Sequence, residues 1–348
     1  MKHCRFLLAL ALLTCIITSS SVGSTTHKWQ GYFQVCYTNP EDRADYLSLR
    51  RLKLYGGGPI SGNWSYYLQF LYKTNNRSST DNQIVVQEAS ASTQSGSVKL
   101  TVGQFKPPFG MERFTSDSVL ALIDRSQPTD KLVPNGSLGM SFARDRGIQI
   151  ERKIGKVGRC AVGVFDGNGA NEPLEGNGPL VVGRFIYEPC SAAKRFHSEL
   201  AVSWRKDHDI DFTGQLPGAP PGYANFSGND VRQNIAIAYD FGKNSLRCEY
   251  FAARYHSNKS AIPSIDAQGY YLQWAYAVSR KWLLAARLEA MDPDRSVVNS
   301  KDISWLTIGA TYYIKSDYHK IQVNYIFKSE KAGEINNDAI VAQYQRFF

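Results

Sequence analysis

Residues 267–292 read AQGYYLQWAYAVSRKWLLAARLEAMD. Tyr270, Leu272, Trp274, Tyr276 and Val278 recur at every second position. Ser279–Lys281 interrupts the pattern. Trp282, Leu284 and Leu288 then resume it, with Arg287 and Glu289 on the opposite parity. A period of two is the mark of a strand with one apolar face. Two such runs joined by a short polar turn predict an antiparallel hairpin. Each run is long enough for a tilted strand that crosses a bilayer, which takes about ten residues. A soluble sandwich would show the same hairpin, so the rest of the chain has to decide.

The alternation spreads in both directions. Trp29, Gly31, Phe33, Val35 and Tyr37 share a face, and residues 46–56 place Leu52 and Leu54 opposite Arg51 and Lys53. Residues 63–73 put Trp64, Tyr66, Leu68, Phe70 and Tyr72 on one face. Segments 83–93 and 97–106 follow as a pair, the first with ambiguous parity. Further segments are 146–154, 157–166, 179–188, 197–206, 231–241, 245–257, 302–314, 317–328 and 338–348. With the two of the opening hairpin they make sixteen predicted strands, an even number. Arg247 and Arg254 fall on opposite parities, which predicts a bulge within 245–257. The connections sort by length. Short turns such as 94–96, 155–156, 242–244 and 315–316 alternate with longer ones: 39–45, 74–82, 107–145, 167–178, 207–230, 258–266, 293–301 and 329–337. A bacterial barrel sorts its loops this way, with short turns in the periplasm. A soluble sandwich has no reason to. The predicted fold is all-β, a transmembrane antiparallel barrel of about sixteen strands.

The longest connection is unlike the others. Strand 98–103 points Val98, Leu100 and Val102 outward, and Pro107-Pro108 ends it, since proline cannot donate to a ladder. No alternation resumes until about Gly147. The stretch carries Phe105, Phe109, Phe114, Leu120, Leu122 and Ile123, enough apolar surface to pack against something, together with Lys106, Arg113, Arg125 and Lys131. A connection of this length inside a compact domain is usually functional. The expectation is a third external loop folded inward to narrow the pore.

This stretch also carries a resemblance. VGQFKPPFGMERFTSD (102–117), followed by DRS (124–126) and LVP (132–134), resembles the signature of the phosphate-selective porin O/P family of outer-membrane barrels. Shorter echoes are RRLKL (50–54), NWSYYLQF (63–70), AVGVFDGNG (161–169), VVGRFIYEP (181–189), LEAMDPD (288–294) and TIGATYYI (307–314). The resemblance implies a homotrimer, passive diffusion and selectivity for phosphate or polyphosphate. The last strand adds to it: Ile340, Ala342 and Tyr344 alternate and the chain ends on Phe348, which resembles an outer-membrane insertion signal. Arg346 departs from that pattern and is expected to snorkel.

Composition agrees. Lys2 and Arg5 precede an apolar run, Phe6–Leu13, and then small residues, the plan of a secretory signal peptide over 1–23. The barrel domain is then 24–348. Losing the leader removes two basic residues and no acidic one, which takes the formal charge from +9 to +7. Export argues against nucleic acid as the partner of that charge and leaves anionic lipid or anionic solutes. Mean hydropathy of −0.33 excludes a helical membrane protein but not a barrel. Cys36, Cys160, Cys190 and Cys248 have no metal-binding spacing, and no disulfide pairing follows from the sequence. No cofactor is expected. Motifs of hydrolytic enzymes are missing from the sequence, so the expectation is not an enzyme.

Inward parity assigns a basic set that includes Arg51, Lys53, Arg184, Arg205, Arg232 and Arg287, expected along the pore wall. Lys106, Arg113, Arg125 and Lys131 are expected at the constriction as anion-binding residues. Guanidinium suits phosphate because its planar fork makes two parallel charge-assisted bonds. Glu112, Asp117, Asp124 and Asp130 share that segment, so its net sign depends on orientation. The function expected is an outer-membrane anion-selective diffusion channel, for phosphate or polyphosphate. A general porin of weak anion preference and a structural surface protein or adhesin are the alternatives.

Overall fold

The structure is a computed structural model. It describes residues 26–348 except 75–81, 137–141, 173–176, 190–193, 214–215, 217–219 and 334. The expected signal peptide lies outside the described residues.

Sixteen antiparallel strands close into one barrel in chain order, with β1 pairing β16. They are β1 (Lys28–Pro40), β2 (Tyr46–Pro59), β3 (Trp64–Tyr72), β4 (Val85–Ser95), β5 (Val98–Phe105) and β6 (Asp145–Ile154). Then come β7 (Gly158–Phe165), β8 (Leu180–Tyr187), β9 (Lys194–Ile210), β10 (Phe226–Phe241) and β11 (Asn244–Ser257). The set ends with β12 (Ile265–Ala277), β13 (Trp282–Asp292), β14 (Ile303–Lys315), β15 (His319–Glu330) and β16 (Ala339–Phe347). Closure leaves no strand edge unpaired, which is what a sheet in hydrocarbon requires.

Parity decides which face meets which solvent. Leu272 pairs Cys248 and Leu288 on the outer face, while Tyr271 pairs Glu249 and Glu289 on the inner one. The outer positions are exposed, Leu288 at 55% and Leu272 at 50%, and the inner ones are buried. The same contrast runs through Ile148, Val162, Leu200, Ile235 and Val323. Aromatic side chains flank this apolar belt near the short turns: Trp282 lies 4.9 Å from Tyr312 and Trp274 5.9 Å from Tyr276. Cys36, Cys160 and Cys248 are free thiols; Cys190 lies outside the described residues.

Two local expectations are corrected. The bulge expected in 245–257 is not there: β11 pairs both neighbours without a register shift. Arg254 points outward because it lies toward the long connections, past Tyr250, where it pairs with Asp266 at 2.6 Å in solvent. The connection expected at 207–230 contracts to 211–225, because β9 and β10 continue past the apolar belt. The outward positions Lys206 and His208 are polar and exposed there, so the alternation fades although the ladder persists. Bulges occur elsewhere. Gln34 and Val35 face Arg51 and Leu49, with Arg50 as the extra residue. Gln69 and Phe70 face Glu88 and Val86, with Gln87 extra, which explains the ambiguous parity of the fourth strand.

Candidate functional site: a basic cavity between the wall and an internal segment

The segment after β5 contains a short helix (Met111–Phe114), a 3-10 turn (Asp117–Val119) and a second helix (Gln127–Leu132). Its partners on β10 to β14 are inward-facing wall residues. It leans on β10 to β14, and the reason is the small size of the inward positions there. Ala236 and Ala238 receive Met111; Ala275 and Ala285 receive Leu122. Two glycines allow the closest approach. A Cβ on Gly269 would meet Pro128 at 2.8 Å, and one on Gly309 would meet Leu122 at the same distance.

Charged wall residues then hold the segment by its backbone. Glu249 accepts from the N–H groups of Met111 (2.8 Å) and Glu112 (2.6 Å), and from the Tyr271 hydroxyl at 2.8 Å. Glu289 accepts from Gln127 N–H at 3.0 Å. These carboxylates satisfy amides at the two helix starts, which have no partner inside the helix. Arginines serve the carbonyls. Arg287 donates to Asp124 O (2.8 Å) and Arg125 O (3.2 Å), and Arg232 to Val133 O (2.7 Å). Arg205 donates to Gly167 O at 2.7 Å and to the Asn135 side chain at 2.5 Å. Gln345 and Gln322 donate to Ser118 O (3.0 Å) and Leu120 O (3.2 Å).

On the opposite side the segment leaves a cavity of about 1070 Å³ against β1 to β4. Among the described residues its lining holds nine cationic side chains and five carboxylates, a surplus of four positive charges. Arg51 and Lys53 line it from β2, and Lys106, Arg113, Arg125 and Lys131 from the segment. The sequence reading divided these six between the pore wall and the constriction; in the structure they line one cavity. Its other four wall arginines are displaced. Arg205, Arg232 and Arg287 are buried under the segment as its anchors, each at 1–2% exposure. Arg184 pairs with Glu199 and sits 4.3 Å over the Phe114 ring, beside a separate small recess. Parity gave the inward direction of all four, but not what covers them.

Arg50, Lys73 and Arg144 also line the cavity. Alternation excludes Arg50 when Arg51 faces inward, and only the bulge admits both. Arg144 bonds Glu88 at 2.8 Å and closes the far end of the segment. Lys73, inward by parity, sits 5.1 Å over the Phe142 ring.

Asp117 is the hub of the charge pattern. It accepts from Lys53 and Arg125 and lies 3.5 Å from Arg51. Burial raises its carboxyl, but the charges of Arg125, Arg51 and Lys53 outweigh that and hold it well below the usual range. Lys106 shows the opposite balance. Burial first, then the Arg144 charge beside it, pulls its ammonium well below the ordinary lysine value. The arrangement can draw an anion in and hold it among several cations whose own carboxylates keep them from binding it too tightly.

The family model for phosphate-selective porin O and P matches residues 29–345. The chain belongs to this family. Porin O of Pseudomonas aeruginosa is 23% identical, over 78% of this chain and 68% of its own length. Among solved structures, the anion-selective porin from Comamonas acidovorans superposes with a TM-score of 0.65 at 13% identity, covering 93% of this chain and 100% of its own. The trimer form of OmpT from Vibrio cholerae gives 0.63 at 9%, covering 94% and 100%. The DcaP channel of Acinetobacter baumannii gives 0.65 at 9%, covering 94% and 99%. These structures share the fold with this porin.

Proposed function

We propose that this porin is an outer-membrane channel for phosphate-class anions and that segment 106–136 is its constriction. The basic cavity carries the reading: a lumen narrowed on one side by the segment and lined on the other by Arg50, Arg51 and Lys53. Fixed positive charge between low-dielectric walls concentrates anions and repels cations. Arg51 is the discriminating residue, since it is part-exposed and its fork matches two oxyanion oxygens. The names of the family, of Porin O and of the Comamonas porin support anion transport, and the family name supports phosphate. The OmpT trimer supports a homotrimer, with the exposed apolar belt in contact with outer-membrane lipid or neighbouring protomers.

Reversal potentials in chloride and phosphate gradients test this. Arg51→Gln with Lys53→Gln should lower anion-over-cation selectivity in both salts. Arg51→Lys should keep the selectivity for anions over cations but lose preference for phosphate over chloride. A Lys variant with unchanged phosphate preference would leave only a general anion porin. Unchanged potentials in the double variant would exclude the cavity as the conduction path.

A further inference from the structure

The cavity has two chemical zones, and only the cationic one serves a bare anion. Along β2 the inward residues run Arg50, Arg51, Lys53, Tyr55 toward the short-turn end. Beyond Lys53 the lining changes to aromatic rings and side-chain amides. Tyr67, Tyr55, Tyr32, Phe347 and Tyr318 form one continuous run across β3, β2, β1, β16 and the last turn. Successive ring centroids lie 6.5, 6.3, 5.0 and 5.0 Å apart. Gln30, Gln69 and Gln87 sit among them: Gln30 donates to the Tyr55 hydroxyl at 2.8 Å, and Tyr67 to Gln69 at 3.0 Å. Tyr32 is 1% exposed, and its hydroxyl has no hydrogen-bond partner among the described residues. It lies beside Lys53, its cross-strand partner, where the two zones meet.

A wall of rings has no use for inorganic phosphate, whose oxygens gain nothing from an aromatic face. It suits a molecule that carries a ring on its phosphate. The C–H faces of a sugar pack on tyrosine, and its hydroxyls bond to phenols and glutamine amides. Lys53 and Tyr55 are two residues apart on one face, about 7 Å along the strand. Neighbouring side chains on that face can reach both a phosphate ester and the sugar ring that carries it. We infer that the cavity binds phosphorylated sugars, with the phosphate on Arg51 and Lys53 and the ring on Tyr55 and Tyr318. The inference rests on the anion-channel reading and names a substrate class within it.

The test is block of chloride current through the reconstituted full-length protein by inorganic phosphate, glucose 6-phosphate and glucose. Glucose 6-phosphate should half-block at a concentration about three- to tenfold below inorganic phosphate, the gain expected of one or two ring contacts. Tyr55→Leu and Tyr318→Leu should each remove that gain and leave phosphate block as it was. Arg51→Gln should weaken both. Heat-modifiable migration on gels verifies that each variant has folded. Equal block by the two phosphates, or tyrosine variants that shift both alike, would overturn the sugar site while the anion channel survives. Block by neither would overturn both readings. Block by glucose as strong as by its phosphate would assign the rings to neutral sugars and overturn the two-zone site.

Discussion

At the residue scale, identical side chains do opposite jobs according to what covers them. Arg51 and Arg287 are both inward arginines on strands. Arg51 faces the cavity, while Arg287 is 2% exposed and spends its donors on Asp124 O and Arg125 O. Glu289 and Glu112 complete its surroundings at 3.2 and 3.6 Å. The two should therefore dissociate experimentally. Arg287→Ala takes the counter-charge from buried Glu289 and Glu112 and the donor from two carbonyls, a loss of about 3–5 kcal/mol by analogy with broken buried pairs. It should lower the temperature at which the folded form converts on gels and make the current noisy, yet leave the phosphate blocking constant within about twofold, as the cavity cations are untouched. Arg51→Gln should do the reverse. An Arg287→Ala channel that is quiet but blind to phosphate would show that this arginine belongs to the permeation path.

At the element scale, the internal segment is positioned by complementarity of size and of backbone polarity. Alanine and glycine at inward positions of β10 to β14 make the room, and Glu249, Glu289, Arg287 and Arg232 fix the height. On the cavity side two carboxylates tie it to β2: Asp117 through Arg51 and Lys53, and Asp124 through Arg50. The Asp117 carboxyl's value is depressed in the folded protein. Its stabilising contribution is thus fully present above the ordinary carboxylate value and is lost only as pH falls through the lower folded value. Loss of the Asp117 ties should therefore need acid well below about 3.9 and should not occur between pH 7 and pH 5. Asp117→Asn should give a fluctuating channel of higher anion selectivity at pH 7. If acidification to pH 5 alone reproduces that behaviour in the wild type, the pin is elsewhere.

At the scale of the whole molecule, Phe348 adds a rung to the seam between β1 and β16. Phe348 donates its N–H to Gly31 O at 3.0 Å and accepts from Gly31 N–H at 3.2 Å. Its ring fills the place where a Cβ on Gly31 would stand, at 2.6 Å. Deleting Phe348 removes the final rung between β16 and β1 and should cut the yield of heat-modifiable barrel in the membrane fraction. Full yield would mean that Tyr32–Phe347 pairing suffices to seal the barrel.

The sequence alone determined the barrel. Period-two alternation is a local property, and in lipid the outward face admits almost nothing but apolar residues, so Leu272, Leu284 and Ile235 announce it without tertiary information. It also determined which arginines point inward, since parity propagates along an unbroken ladder. Parity fails where the ladder gains a residue, as at Arg50 and Gln87, and where the outward positions turn polar beyond the apolar belt, as at Lys206 and His208. Only the tertiary structure decided which inward charges line a cavity and which lie beneath a packed segment. That depends on where 106–136 settles, and it settles where Ala236, Ala275, Gly269 and Gly309 bring small side chains from distant strands onto one wall. No local pattern carries that information, because each of these residues is, in its own strand, merely a small one on the inward parity.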